Sequence, residues 1–266
     1  MLTRLIFFST TLFTGLLGAA EPQGGCDKLR VAFYEDGALF YHGADGGWTG
    51  IDKDIVDEVT RRMGCTVVPS VDSRVRIWAG LSAGTIDMSV SAIPLPEREK
   101  FARFVPYMAG RNYVFLHQDL APNVHSMEEF LRHPEYKIAV VKAYRYGKSY
   151  EAWLARLRSE GRVFETPDYI SMLRLLKLGR VHAAMATPTS WFPMMRQERL
   201  AGSFSIMDWA PADSIVSGLV LSRQHVDAAT AARFSQTIRA MRDDGTLKRI
   251  FSRHVDAEQA AKMLNF

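Results

Sequence analysis

Apolar residues along this chain alternate between short continuous runs and stripes at helical spacing. The run Leu29 to Tyr34 reads as a strand, and after the turn-rich stretch Gly37 to Gly50 the residues Ile51, Ile55, Val56, Val59 and Met63 share one face of a helix over 52–63. Asp52 and Asp54 open that helix, Arg61 and Arg62 close it in the order its dipole favours, and Gly64 ends it. Thr66 to Val71 reads as a second strand, and Pro69, which cannot donate to a ladder, puts it at a sheet edge. Ser73 to Ser82 repeats Val75, Trp78, Ala79 and Ser82 on one face, which reads Trp78 as core, and Ile86 to Ile93 follows as a strand.

The second half repeats the logic. Tyr113 to His117, Ile138 to Lys142, Val181 to Thr187 and Ser217 to Ser222 read as strands. Ser149 to Leu157, Ile170 to Leu178 and Ala228 to Arg242 read as helices, with Tyr150, Trp153, Leu154 and Leu157 inward in the first and Ala231, Phe234, Ile238 and Met241 inward in the last. Such alternation predicts an α/β protein with largely parallel sheets. Ligands of such sheets bind beyond the carboxyl ends of strands, which directs attention to Tyr34 to Tyr41, Ser91 to Arg98, Lys142 to Lys148 and Thr187 to Trp191.

Length and composition narrow the class. The 266 residues, 47% hydrophobic, suffice for one large domain or two lobes of roughly 100 residues each. The formal charge of +4 is mild and its Lys and Arg are scattered, so no nucleic-acid partner is expected. Arg4, the apolar stretch Leu5 to Leu17 and the small residues Gly18-Ala19-Ala20 read as a secretory signal peptide over 1–20, cleaved near Ala20. That stretch is short of the roughly 20 residues a membrane span needs.

Export makes the two cysteines readable. Cys26 and Cys65 stand at the entrances of the first two strands; if those strands are parallel neighbours the sulfurs meet in one disulfide, and two unpaired thiols are the alternative. The chain contains no Gly-x-Ser-x-Gly elbow, His-Glu-x-x-His or phosphate loop, and its seven histidines are dispersed. Neither a metal, a cofactor nor catalysis is expected.

Six stretches, in order, resemble the family-3 periplasmic solute-binding proteins of ABC importers, typified by receptors for polar amino acids. They are Gly50-Ile51-Asp52-Lys53-Asp54-Ile55, Leu81-Ser82-Ala83-Gly84-Thr85-Ile86-Asp87, Pro96-Glu97-Arg98, Phe104-Val105-Pro106-Tyr107, Leu178-Gly179-Arg180-Val181-His182-Ala183-Ala184 and Asp244-Gly245-Thr246-Leu247. The resemblance implies a two-lobed periplasmic-binding-protein fold of type II, with two mixed, mostly parallel sheets joined by two hinge strands. It places 27–113 plus 219–266 in the first lobe and 114–218 in the second. It also implies a periplasmic monomer that encloses a small molecule between its lobes and meets an ABC permease in the inner membrane.

The resemblance assigns the site in part. Arg98 stands where the family arginine takes the ligand's carboxylate, a role suited to a planar, permanently charged fork. Ser91 aligns with a residue that helps hold that carboxylate, whereas the expected hydroxyl five residues before the arginine is Ile93. The acid that receives an α-ammonium falls at Thr187, the Asp of the same strand is His182, another acidic position falls at Tyr34, and the stacking aromatic falls near Arg74. Lys142, Tyr144 and Arg145 replace a small turn, and Phe40 with Tyr41 offers a wall on the first cleft loop. An anion clamp is thus kept and an ammonium clamp lost, since a buried ammonium without a carboxylate is strongly disfavoured. The expected ligand is a small carboxylate-bearing solute or organic anion. The alternatives are an accessory or sensory protein with a degenerate cleft and, less favoured because Thr187 to Trp191 lacks a carboxylate, a dehydratase on the same fold.

Overall fold

The computed structural model describes residues 26, 28–191 and 204–266; the signal peptide read over 1–20 lies outside them. The chain forms β1 (Leu29–Phe33), β2 (Tyr41–His42), β3 (Trp48–Thr49), α1 (Ile51–Met63), β4 (Val67–Val71), α2 (Arg74–Ala83), β5 (Met88–Ala92), α3 (Pro96–Glu99), β6 (Ala102–Gly110) and β7 (Tyr113–His117). There follow α4 (Met127–Leu131), β8 (Ile138–Val141), α5 (Lys148–Ser159), β9 (Val163–Thr166), α6 (Tyr169–Lys177), β10 (Ala183–Ala186), β11 (Phe204–Met207), β12 (Ile215–Ser222), α7 (Ala228–Asp243), α8 (Thr246–His254) and α9 (Ala257–Lys262).

Two five-stranded sheets define two lobes, one in the order β4-β1-β5-β12-β6 and the other β11-β7-β10-β8-β9. Each combines two parallel with two antiparallel pairings, so the sheets are evenly mixed rather than mostly parallel. The antiparallel strands are those flanking the two crossings between lobes, from Gly110 to Tyr113 and from Met207 back to Ile215, where the outgoing and returning chains run side by side. β12 begins at Ile215, so residues 215–218, expected in the second lobe, pair with β6 in the first. At Gly218 the register shifts opposite Pro106, and a Cβ there would overlap the Val105 carbonyl, which only glycine avoids.

The local signals explain the elements that frame the cleft. α1 buries Ile51, Ile55, Val56 and Val59 and ends on Gly64 in the left-handed conformation, whose N–H returns to the Arg61 and Thr60 carbonyls. β4 lies at the sheet edge, as Pro69 requires, and pairs in parallel with β1. Cys26 and Cys65, at the entrances of those strands, are joined by a disulfide with Cα atoms 5.1 Å apart. The face expected of α2 is reversed. Ile77, Gly80 and Leu81 are buried, whereas Val75 is 51% exposed, because the helix meets its sheet along one narrow strip and turns Arg74 and Trp78, one turn apart, toward the neighbouring lobe. In the second lobe, α5 buries Tyr150, Trp153, Leu154 and Leu157, and α6 buries Tyr169, Met172, Leu173 and Leu176. Among the described residues no helix is long and apolar enough to cross a membrane.

Candidate functional site

The segments just beyond β1, β5, β8 and β10 converge in the cleft between the lobes. From the first lobe come Tyr34, Asp36, Ser91 and Arg98, joined by Arg74 and Trp78 of α2; from the second come Ala143, Tyr144, Arg145 and the 187–191 segment. The lobes touch directly. Ala38 N–H donates to the Thr189 carbonyl at 2.6 Å, and Ser190 Oγ donates to Asp36 Oδ1 at 2.7 Å. Gly37, at φ 49°, makes the approach possible, because a Cβ there would overlap the backbone of Thr189 and Ser190.

Asp36 is the acid at the centre of the contact. It is 2% exposed, and Arg74 Nη2 donates to its Oδ2 at 2.5 Å. Burial pushes its carboxyl above the ordinary range, against the pull of Arg74 and the Ser190 hydroxyl. The Arg74 guanidinium also lies over the faces of Tyr34, 4.1 Å from the ring centre, and Tyr144, at 4.9 Å. Burial raises both phenols well above their usual range, so they stay neutral. Asp36 lies within the Tyr34 to Tyr41 stretch to which the strand ends direct attention, two residues past the expected acidic position at Tyr34, but the sequence singles out neither it nor its pairing with Arg74.

Arg98 is held differently. Its Nη1 donates to the Ile93 carbonyl at 3.1 Å and its Nη2 to the Ala143 carbonyl of the other lobe at 3.4 Å, while its guanidinium stacks 3.8 Å over Trp78. Trp78 packs against the first-lobe core beside Phe101 and Phe104, as its spacing predicts, and also presents a face to the cleft. Burial, with Arg145 nearby, lowers the Arg98 pKa to about 10. Among the described residues no carboxylate pairs with it, whereas Arg145 lies 3.7 Å from Glu97 and 4.0 Å from Glu151.

Ser91 has a left-handed backbone, with φ 47°, that non-glycine residues seldom adopt. Its Oγ turns into the lobe to donate to both oxygens of Asp52 at 2.8 Å, and its N–H donates to Tyr107 Oη at 2.8 Å. Tyr107 Oη donates in turn to Asp52 at 2.6 Å. The Ser91 hydroxyl is thus occupied by Asp52, whose carboxyl burial pushes up to about 7. Thr187 lines the cleft with its Oγ1 2.8 Å from that of Thr189 and 3.0 Å from Ser190 Oγ.

Other expected residues lie elsewhere. Phe40 is buried in the first lobe, stacked between Phe33 and Trp48, because Leu39 rather than Phe40 points along the cleft side of its loop. Lys142 is exposed and lines neither cleft pocket, since the turn at Ala143, φ 61°, directs Tyr144 inward instead. Tyr41 meets His254 on the first lobe, His182 accepts from Lys137 N–H at the opposite end of β10, and Trp191 packs on Phe115. Two pockets of about 30 Å³ each flank the Tyr34–Tyr144 pair, one beside Asp36 and Thr187, the other beside Arg74 and Arg98. Among the described residues no group of three His, Cys, Asp or Glu could hold a metal ion.

Comparison with known proteins places this geometry in context. The model of bacterial extracellular solute-binding proteins, family 3, matches residues 29–257. A probable amino-acid ABC transporter-binding protein of Haemophilus influenzae is 23% identical over 266 residues, covering 93% of this chain and 95% of its own. Among solved structures, an ancestral arginine-binding protein bound to arginine superposes with a TM-score of 0.74 at 18% identity, covering 87% of this chain and 99% of that one. A histidine kinase sensor domain with similarity to periplasmic binding proteins gives 0.73 at 19% identity, covering 87% and 97%.

Proposed function

Because the chain belongs to the bacterial extracellular solute-binding proteins of family 3, we propose that its cleft captures a small solute bearing a carboxylate or a comparable organic anion. In this reading the mature protein works as a monomer in the periplasm and delivers that solute to an ABC permease. The observation that supports it best is Arg98: a half-buried guanidinium that meets two carbonyl oxygens and an indole face and, among the described residues, no carboxylate. A desolvated cation so placed gains most from an incoming anion.

The cleft acid favours the same class. Asp36 is already engaged by Arg74 and Ser190, so an α-ammonium would have to break a buried ion pair to reach it. Amino acids are therefore second choice behind solutes with an anionic group alone. Arg98 belongs to the first lobe and can take the anion while the cleft is open; Tyr144 and Thr187 of the second lobe then enclose it by a shift of population.

Calorimetry of the mature protein against a panel of mono- and dicarboxylates, hydroxy acids and amino acids tests the reading, with Arg98→Ala and Arg98→Lys in parallel. Truncating one member of a desolvated charged contact costs about 2–5 kcal/mol, roughly thirtyfold or more in affinity, and lysine keeps the charge without the fork. A carboxylate that binds the wild type and Arg98→Ala within about threefold of each other sinks Arg98 as anchor. No binding across the panel, with co-purification of a periplasmic protein, favours an accessory or sensory role instead.

A further inference from the structure

Arg74 is surrounded as a bound cation would be. Tyr34 and Tyr144 cover its guanidinium from two sides, at 4.1 and 4.9 Å, and the carboxylate of Asp36 receives its Nη2 at 2.5 Å. Tyr169, 4% exposed and close enough to feel the charges of Arg74 and Asp36, has a buried hydroxyl with no hydrogen-bond partner among the described residues. Aromatic faces with one buried carboxylate are the composition that recognises guanidinium and other organic cations.

The groups around Arg74 come from both lobes. Tyr34 and Asp36 follow β1 in the first, whereas Tyr144 follows β8 and Tyr169 begins α6 in the second. Arg74 itself is the first residue of α2, and it lines the cleft pocket that also holds Tyr34 and Tyr144. Its side chain is 10% exposed and that of Asp36 1%, so the pair is shielded from solvent and from salt.

We propose that Arg74 acts as a tethered ligand: its guanidinium fills a cation subsite shared by the two lobes and holds them together, and cutting the side chain back turns that subsite into a binding site for a free guanidinium-type cation. The inference is independent of anion binding at Arg98. It makes part of the free energy of lobe closure intrinsic to the chain, to which an anion at Arg98 adds its own, and it closes the subsite to cationic solutes in the wild type.

The test uses methylguanidinium as probe and methylurea, nearly the same shape without charge, as control. Small-angle scattering should find Arg74→Ala expanded relative to wild type. Methylguanidinium should raise the melting temperature of Arg74→Ala and restore wild-type dimensions, binding it at least about tenfold more tightly than it binds wild type. Methylurea should do neither. Wild-type dimensions for Arg74→Ala, or equal responses of the two proteins to methylguanidinium, overturn the proposal. Should Arg74→Ala fail to fold, Tyr144→Leu keeps the charge and its counter-ion but removes one aromatic face; it is expected to be expanded, and wild-type dimensions for it overturn the proposal equally.

Discussion

Ser190 of the second lobe donates its hydroxyl to Asp36 of the first at 2.7 Å, and the other oxygen of the same carboxylate receives Arg74. One buried acid thus fastens a helix of its own lobe to the helical segment 188–191 that follows β10 in the other. Asp36→Asn should leave Arg74 without a counter-ion in a site with little exposure to solvent, and should destabilise the protein by about 3–5 kcal/mol in chemical denaturation. The double variant Asp36→Asn, Arg74→Gln should recover part of that loss. Additive losses in the two single variants and the double would show that the pair is not coupled.

Gly37 sets how closely the lobes approach. At φ 49° an alanine is strained in itself, and its Cβ would overlap the backbone of Thr189 and Ser190. Gly37→Ala is therefore expected to wedge the cleft apart: a larger radius of gyration, with the Ala38 amide losing its bond to Thr189 and exchanging faster with deuterium. Unchanged dimensions and unchanged exchange at Ala38 would count against this.

Features set by local sequence were legible in advance. Pro69 forecast an edge strand, the stripe from Ile51 to Met63 forecast the buried face of α1, and two cysteines at neighbouring strand entrances forecast their bond. Pairings made by tertiary approach were not. Along the chain Asp36 and Arg74 are separated by β2, β3, α1 and β4, so nothing in their spacing announces an ion pair. The spacing that read Trp78 as core gave no sign of its second contact, with the Arg98 guanidinium, and Phe40 read as a cleft wall because loop residues carry no periodicity.

Asp52 should give stability a pH dependence of unusual sign for a carboxylate. Its pKa is raised from 3.8 to about 7, so between those values the unfolded chain loses the proton while the folded chain keeps it. Stability contributed by this group is then complete below pH 3.8 and declines as pH rises through about 7, by at most about 4 kcal/mol. Asp52→Asn should remove that decline, gaining on wild type as the pH rises across the window. Parallel stability profiles for the two proteins would refute it.

The disulfide lies wholly within the first lobe and closes a separation of 39 residues. Loop-closure entropy assigns it up to about 4 kcal/mol, exerted on the unfolded chain. Reduction, or Cys65→Ser, should therefore lower the melting temperature while leaving the affinity of any cleft ligand unchanged. A reduced protein with altered affinity would mean that the bond shapes the cleft as well.

The position of β12 has a consequence for how the molecule is made. This strand fills the slot between β5 and β6, yet the whole second lobe intervenes between Gly110 and its partner Ile215. The first sheet cannot be completed while the chain is still emerging; β1, β4, β5 and β6 must wait, with β5 and β6 each lacking a neighbour, until the chain has passed through the second lobe and come back. The inserted lobe is continuous in sequence and can fold on arrival, so maturation should proceed from the middle of the chain outward, and the waiting strands, which present unpaired edges in that interval, are where a chaperone would be needed.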